Sequence, residues 1–316
     1  MYRIGVDLGG TNIVVGLVDQ DMKICDTKSC KTNLPRSAEA IVADIGMLCK
    51  EIMKQNRLEL SDIASVGVGV PGTANQETGI IEYANNLGFD MVPFVDMLKK
   101  HINLPIYMDN DANAAAWGEY KAGKYDSDSF VMVTLGTGVG GGVVVGGKLV
   151  RGCNYAAGEL GHTTIDFNGV PCNCGRTGCF EAYGSATALI QQTKAALTAA
   201  TDADTVLWEL CDNDISKIEA KHVFDAVAKK DELGLKLLDN YTTYLAEGLA
   251  NIINIFQPAV LTIGGGVSKA GDTLLNPVRE KTAKLIYSRN AKVNTKIIAA
   301  KYDNDAGIIG AALLEA

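Results

Sequence analysis

The sequence lacks a long apolar run, a surplus of basic residues and a secretory signal. No stretch reaches the roughly 18 apolar residues of a membrane span, which argues against an integral membrane protein. Its 29 basic residues against 37 acidic ones give a net charge of −8, whereas nucleic-acid binding needs a basic face. The chain opens directly on a strand-like segment, so disulfide-rich secretion is not expected. These absences predict a cytoplasmic protein without membrane or nucleic-acid partners.

Histidine is scarce, with three residues in the chain, and one of them begins the segment that is richest in chemistry. His162 is followed by Cys172, Cys174 and Cys179, and together they supply the four N and S ligands of a tetrahedral zinc site. A disulfide is the alternative, but Cys172 and Cys174 lie too close together for an easy bridge. Because four protein ligands leave no open position, the predicted zinc is structural.

The length of 316 residues exceeds what one hydrophobic core usually supports, so we expect two domains. A polar, turn-rich stretch at 121–128 favours a boundary close to it. We place a small N-terminal α/β domain at 1–118 and a large C-terminal α/β domain with the metal site at 119–302. The Ala- and Ile-rich end of the chain, 303–316, predicts a helix that packs back on the first domain.

A strand, a Gly/Thr turn and a second strand occur twice, at 4–18 and 131–146, which indicates an internal duplication. A third glycine turn, 264–266, follows the strand predicted at 260–263. The dinucleotide pattern G-x-G-x-x-G also occurs twice, but neither copy opens a helix, so we reject a Rossmann site. The exposed amides of the two turns and the hydroxyls of Thr11 and Thr137 can bind one polyphosphate. The alternative is that glycine is present only because the tight turns of these hairpins require it, without any phosphate binding.

Asp111 lies where a short predicted strand, 105–109, runs into the helix-prone segment 114–119. The amides of Asn110 and Asn113 flank this carboxylate and can orient substrate oxygens. Asp111 is therefore a candidate general base, and its alternative role is the N-cap of the following helix.

Together these motifs resemble those of the ROK family (repressors, open reading frames, kinases), sugar kinases of the actin-like hexokinase superfamily. The resemblance extends over 7–11, 71–72, 110–113, 135–138, 159–162, 172–181 and 264–266. Glucokinases are the nearest subgroup, although Phe89 stands where the family often has Trp. The resemblance implies an α/β, two-domain actin-like ATPase (ribonuclease H-like) fold with an internal duplication and a zinc-binding insertion.

The resemblance further implies an ATP-dependent hexose kinase, with the glucose 6-hydroxyl as first-choice acceptor and Asp111 as general base. Asp7 could hold Mg²⁺ through water. The implied sugar contacts are Gly72, Asn86, Asn110, Asp111, Glu159, His162 and Glu181. The implied nucleotide contacts are Asp7, Gly9, Gly10, Thr11, Asn12, Gly136, Thr137, Gly138, Gly265 and Gly266. A homodimer or homotetramer is also implied.

Other readings of the same resemblance stay open. The acceptor could be N-acetylglucosamine, N-acetylmannosamine, fructose or allose, and the donor could be polyphosphate or another nucleotide. A non-catalytic, sugar-sensing regulator is the less favoured alternative. Such ROK proteins carry an added N-terminal helix-turn-helix segment, whereas the first strand is predicted here from residue 3.

Overall fold

The computed structural model describes residues 1–199 and 204–315 as a mixed α/β protein. The chain divides into two compact units. Unit 1 comprises Met1–Met132, Gly142–Gly158 and Lys301–Ala316, and unit 2 comprises Val133–Gly141 and Glu159–Ala300. These units place 119–132 and 142–158 with the N-terminal part of the chain, and the domain limits at 118 and 119 stay a prediction.

The sheet of unit 1 aligns two aspartates, Asp7 and Asp109, near the carboxyl ends of its parallel strands. Its strand order is β3-β2-β1-β4-β8, in which β1 pairs antiparallel with β2 and parallel with β4, and β4 pairs parallel with β8. The parallel register aligns Asp7 with Gly69 and Gly69 with Asp109. A second, three-stranded sheet has the order β5-β6-β7. The strands are β1 (Tyr2–Leu8), β2 (Asn12–Val18), β3 (Ile24–Lys31), β4 (Ile63–Val70), β5 (Thr73–Asn75), β6 (Ile80–Ala84), β7 (Phe89–Val92) and β8 (Ile106–Asn110).

The remaining strands form a sheet with the order β11-β10-β9-β12-β13. They are β9 (Phe130–Leu135), β10 (Val139–Val145), β11 (Lys148–Leu149), β12 (Val260–Gly264) and β13 (Lys296–Ala299). As in the first sheet, the first strand of a hairpin stands at the centre, and two later strands extend the sheet beside it. β12 and β13 pair in parallel, as β4 and β8 do. The repeated order agrees with the predicted internal duplication.

Ten helices lie within the described part of the chain. They are α1 (Ala38–Gln55), α2 (Phe94–Lys99), α3 (Asp111–Gly123), α4 (Glu181–Gly184), α5 (Ala186–Ala199), α6 (Leu207–Leu210), α7 (Ala220–Ala228), α8 (Glu232–Phe256), α9 (Asp272–Leu285) and α10 (Asp305–Ala312). Among residues 1–199 and 204–315, none of them is long and apolar enough to cross a membrane.

The helices follow the apolar spacing of the sequence. In α1 the predicted stripe Ile41, Ile45, Leu48 and Ile52 is buried, and the Ser37 hydroxyl caps the helix by accepting the Ala40 N–H at 3.3 Å.

The C-terminal helix α10 lies in unit 1, where it packs against α3 and β1. The approach to α3 is close because Gly118 has no side chain. A Cβ atom there would lie 2.0 Å from the carbonyl oxygen of Ala306. Residue 316, the end of the segment predicted as helical, lies outside the described residues.

Candidate active site and metal centre

The junction between β8 and α3 exposes Asp111 at a helix N-terminus. Asn110 is the N-cap of α3, because its Oδ1 accepts the N–H groups of Ala112 at 2.9 Å and Asn113 at 3.2 Å. Asp111 is the first helical residue, is exposed, and accepts the Ala112 N–H on its own Oδ1 at 2.8 Å. The capping role considered for Asp111 therefore belongs to Asn110. Asn110 Nδ2 also donates to the Gly72 carbonyl at 3.2 Å, so these two predicted sugar contacts lie together.

Asn86 occupies a different part of unit 1. It is exposed in the short 3-10 turn Asn85–Leu87, which lies between β6 and β7. It is not part of the hydrogen-bonded group that Asn110 forms with Gly72.

The first glycine loop, 9–12, is an exposed turn held from behind by one buried residue. The Gly9 N–H donates to the Asn12 carbonyl at 2.9 Å, which closes the turn. Thr32 is fully buried; its hydroxyl donates to the Gly9 carbonyl at 2.7 Å and its N–H to the Thr11 carbonyl at 2.9 Å. Thr32 was not predictable from the sequence, because a single threonine after a strand carries no signal of its own.

Asp7 is the penultimate residue of β1, which leads into the first glycine loop. Burial raises the pKa of the Asp7 carboxyl above its ordinary value, because desolvation disfavours the charged form. A neighbouring cation would offset that cost. A partly buried carboxylate at this position is therefore chemically suited to Mg²⁺, which binds oxygen ligands, often through its retained waters.

The second glycine loop, 136–138, is joined to the predicted sugar ligand Glu181. The Val139 N–H donates to Glu181 Oε2 at 2.9 Å. A Cβ atom on Gly138 would lie 2.4 Å from that same oxygen, so glycine is what allows the carboxylate to reach the loop. On the other side, Thr187 Oγ1 donates to the Thr137 carbonyl at 2.8 Å. Thr187 was not predictable from the sequence, because it lies 50 residues from its partner.

We expect Gly138→Ala to lower the free energy of unfolding by about 1–2 kcal/mol, because the added methyl group displaces the Glu181 carboxylate from the Val139 N–H. The matched control is Gly136→Ala, since a Cβ atom on Gly136 would have no atom within 4 Å. Urea unfolding of both variants measures the difference. Equal stabilities would mean that Glu181 does not depend on the absence of a side chain at Gly138.

The third glycine turn lies beside the second glycine loop. Gly265 adopts a φ of 83°, in the left-handed region that favours glycine, and a Cβ atom there would lie 2.5 Å from the Leu135 carbonyl oxygen. Gly265 thus packs against the end of β9, directly before Gly136.

The four predicted zinc ligands are assembled into one cluster. One ligand atom each from His162, Cys172, Cys174 and Cys179 lies within 4.8 Å of all the others. His162 Nδ1 is 3.7 Å from Cys172 Sγ, and Cys174 Sγ is 3.6 Å from Cys179 Sγ. Zinc bond lengths near 2.0–2.3 Å put tetrahedral ligand atoms about 3.5–3.8 Å apart. The donor set and its spacing therefore fit a closed zinc site.

The loop that carries these ligands is also fixed by Arg176. Its guanidinium donates to the His162 carbonyl at 2.9 Å and to Thr164 Oγ1 at 2.7 Å. A hydrogen bond from the backbone N–H of Arg176 lowers the pKa of the Cys174 thiol. Burial raises the pKa of the Cys179 thiol to about 12. Since thiolates are the zinc-binding form, Cys179 needs a nearby cation to lose its proton at neutral pH.

The two ring nitrogens of His162 have different neighbours. Nδ1 faces the sulfur cluster, and Nε2 lies 3.9 Å from Glu159 Oε2, which is an ion-pair distance and too long for a hydrogen bond. Glu181 Oε1 is 3.9 Å from Cys172 Sγ. The predicted sugar ligands Glu159, His162 and Glu181 thus lie next to one another, around the candidate zinc cluster.

Comparison with known proteins identifies the family. The sequence model of the ROK family matches residues 3–316. The chain belongs to the ROK family. It is 37% identical over 314 residues to a glucokinase of Halalkalibacterium halodurans, covering 98% of this chain and 93% of that protein. It is 31% identical to an N-acetylmannosamine kinase of Escherichia coli, with 99% and 98% of the two chains covered.

Solved structures give the same result for this ROK protein. The crystal structure of a ROK family glucokinase from Streptomyces griseus, in complex with glucose and AMPPNP, superimposes with a TM-score of 0.83 at 33% identity. The match covers 99% of this chain and 98% of that chain. The predicted family and the predicted two-domain, actin-like α/β fold are thereby confirmed.

Proposed function

We propose that this ROK protein is an ATP-dependent hexose kinase that phosphorylates the 6-hydroxyl of glucose. The observation that carries the proposal is the β8–α3 junction, which presents the exposed Asp111 carboxylate at a helix N-terminus beside Asn110. The likeness to glucokinases over nearly the whole chain supports glucose as the acceptor.

Asp111 acts as the general base. A sugar hydroxyl is too weakly acidic to ionise unaided at neutral pH, so its proton passes to the carboxylate as its oxygen attacks the γ-phosphorus, with ADP as the leaving group. The positive end of the α3 dipole favours the ionised carboxylate that this step requires. Asn110 still has one Nδ2 hydrogen beyond its bond to Gly72, and that hydrogen can donate to the sugar.

Two further acids and the histidine bind the sugar hydroxyls in this proposal. Glu159 and Glu181 accept charge-assisted hydrogen bonds, and His162 donates from Nε2 when Nδ1 ligates zinc. The zinc ion, when bound, supplies no reactive position; it holds the 162–179 segment in place.

The three glycine turns contact the nucleotide. The amides of 9–12 and 136–138 bind phosphate oxygens, and Gly265 and Gly266 lie toward the adenosine. Asp7 would hold Mg²⁺, whose charge offsets that of the phosphates. A homodimeric or homotetrameric state and a cytoplasmic location belong to the same proposal, because the family resemblance implies them.

The proposal is tested by measuring kcat/KM with ATP across glucose, mannose, fructose, N-acetylglucosamine and N-acetylmannosamine. We expect glucose to give the highest value. A higher value for an N-acetyl sugar would overturn the choice of glucose and favour the second candidate, an N-acetylhexosamine kinase, which the Escherichia coli relative supports. No turnover of any sugar, with ATP or polyphosphate, would leave a sugar-sensing regulator as the better reading.

A further inference from the structure

Asp109 is a buried carboxylate immediately before the two proposed site residues of the β8–α3 junction. It is 2% exposed, and four donors lie within hydrogen-bonding distance. Oδ1 accepts the Asn110 N–H at 2.8 Å and Asn113 Nδ2 at 3.1 Å. Oδ2 accepts Gln76 Nε2 at 2.6 Å and Arg151 Nε at 2.7 Å. All these residues belong to unit 1.

The four donors join three separate segments of the chain. Gln76 follows β5, Arg151 follows β11, and Asn110 and Asn113 surround Asp111. We call Gln76, Asp109, Asn113 and Arg151 the Asp109 cluster. In the ion pair between Arg151 and Asp109, the Arg151 side chain is 30% exposed to solvent, whereas the Asp109 side chain is buried. The cluster fixes the start of α3 against two loops that are 33 and 42 residues away in sequence.

Asn113 depends on Asp109 for the orientation of its amide. Its Nδ2 donates to Asp109, while its buried Oδ1 has no hydrogen-bond partner among the described residues. The neighbouring Asn110 N–H is likewise bound to Asp109. One carboxylate thus holds a residue on each side of Asp111, at positions 110 and 113.

We propose that Asp109 is a positioning residue, which sets the orientation of Asn110 and Asp111 for phosphoryl transfer through the Asp109 cluster. The inference rests on the proposed hexose kinase activity. The carboxylate suits this role because it accepts on both oxygens, whereas an isosteric carboxamide would turn an NH₂ group toward two of the four donors. The start of α3 must then shift, and a displacement of about 1 Å at a reacting group can cost about 100-fold in rate.

A double-mutant cycle with Asp111 tests the proposal. We expect Asp109→Asn to lower kcat for glucose about 10- to 100-fold in the wild-type background, with the KM for ATP nearly unchanged. In the Asp111→Asn background the same change should lower the residual rate less than about threefold, because the group that it positions is already lost. An equal loss in both backgrounds would show a general structural defect and overturn the proposal, as would an unchanged kcat.

Asp239→Asn is the matched control. It also removes a carboxylate from a 2.7 Å ion pair, with Lys281, but the pair joins α8 and α9 in unit 2. It should leave kcat unchanged. If Asp109→Asn does not fold, Arg151→Met takes its place in the cycle, because methionine has a similar length but no group that can donate to Asp109 Oδ2. A loss confined to the Asp111 background supports the proposal, and an equal loss in both backgrounds overturns it.

A separate measurement distinguishes failure of the proposed kinase function from failure of the proposed role of Asp109. If the wild-type protein phosphorylates no hexose, the kinase proposal fails, and hydrogen exchange then tests the cluster alone. We expect Asp109→Asn to speed the exchange of the Ala112 and Asn113 amides, which the Asn110 cap protects. Unchanged exchange at both amides would show that Asp109 does not order the start of α3.

Discussion

We expect Asp111→Asn to lower kcat by about 10²- to 10⁴-fold, the usual contribution of a general base, and to leave sugar binding in place. The carboxamide has the same shape and keeps an oxygen that can accept the Ala112 N–H, as Asp111 Oδ1 does at 2.8 Å. The Asn110 cap is untouched. The helix should therefore begin as before, while the group that takes the hydroxyl proton is gone. Steady-state kinetics and calorimetric titration with glucose measure the two effects.

Asp272→Asn is the matched control for this change. Asp272 is also an acid in the first turn of a helix, α9, and its side chain is 78% exposed. Loss of its favourable interaction with the helix dipole costs about 0.3–1 kcal/mol in stability and should not alter turnover. Turnover of Asp111→Asn within a few-fold of the wild-type rate would contradict the assignment of the base.

Cys174→Ser should lose the metal ion and destabilise unit 2, by about 4 kcal/mol or more, since loss of a structural metal is among the largest single-residue effects. We expect purified wild-type protein to contain one zinc per chain and the variant to contain almost none. The KM for glucose should rise as well, because Glu181 lies 3.9 Å from Cys172 Sγ and also contacts the second glycine loop. Elemental analysis, thermal unfolding and kinetics measure these three results.

Cys25→Ser serves as the control for Cys174→Ser. Both cysteines are exposed, but Cys25 lies outside the metal cluster, with its sulfur near the Asp19 carboxylate. Its replacement should change neither metal content nor stability. A metal-free wild-type protein with full activity would refute the zinc site, whatever the behaviour of the cysteine variants.

Short-range patterns carried most of the correct predictions about the fold. The apolar stripe of α1, the buried strand β4 and the two glycine hairpins are each encoded within about 20 residues, so periodicity and turn chemistry were enough to find them. The His162, Cys172, Cys174 and Cys179 cluster was also predictable as a group, because three of its four residues fall within eight positions, 172–179.

Hydrogen bonds between distant residues were not predictable from the same patterns. Neither Thr32 nor Thr187 stands in a recognisable motif, yet each fixes a glycine loop through a carbonyl oxygen. The sequence offered Asp111 as the alternative N-cap of α3 and did not indicate Asn110, although the two residue types have similar capping preferences. The structure assigns the cap to Asn110 through two hydrogen bonds.

The sequence by itself determined several helices and strands, the repeated hairpins, the residues of the His162 and cysteine cluster and the family, because each depends on residue types at fixed local spacing. Only the tertiary structure decided which distant groups meet at Asp109. The parallel pairing of β4 with β8 places Asp109 at the end of the sheet, and folding then brings Gln76 and Arg151 to its carboxylate. No local pattern encodes such contacts, since a buried charge must find its hydrogen-bond donors wherever the packed chain provides them.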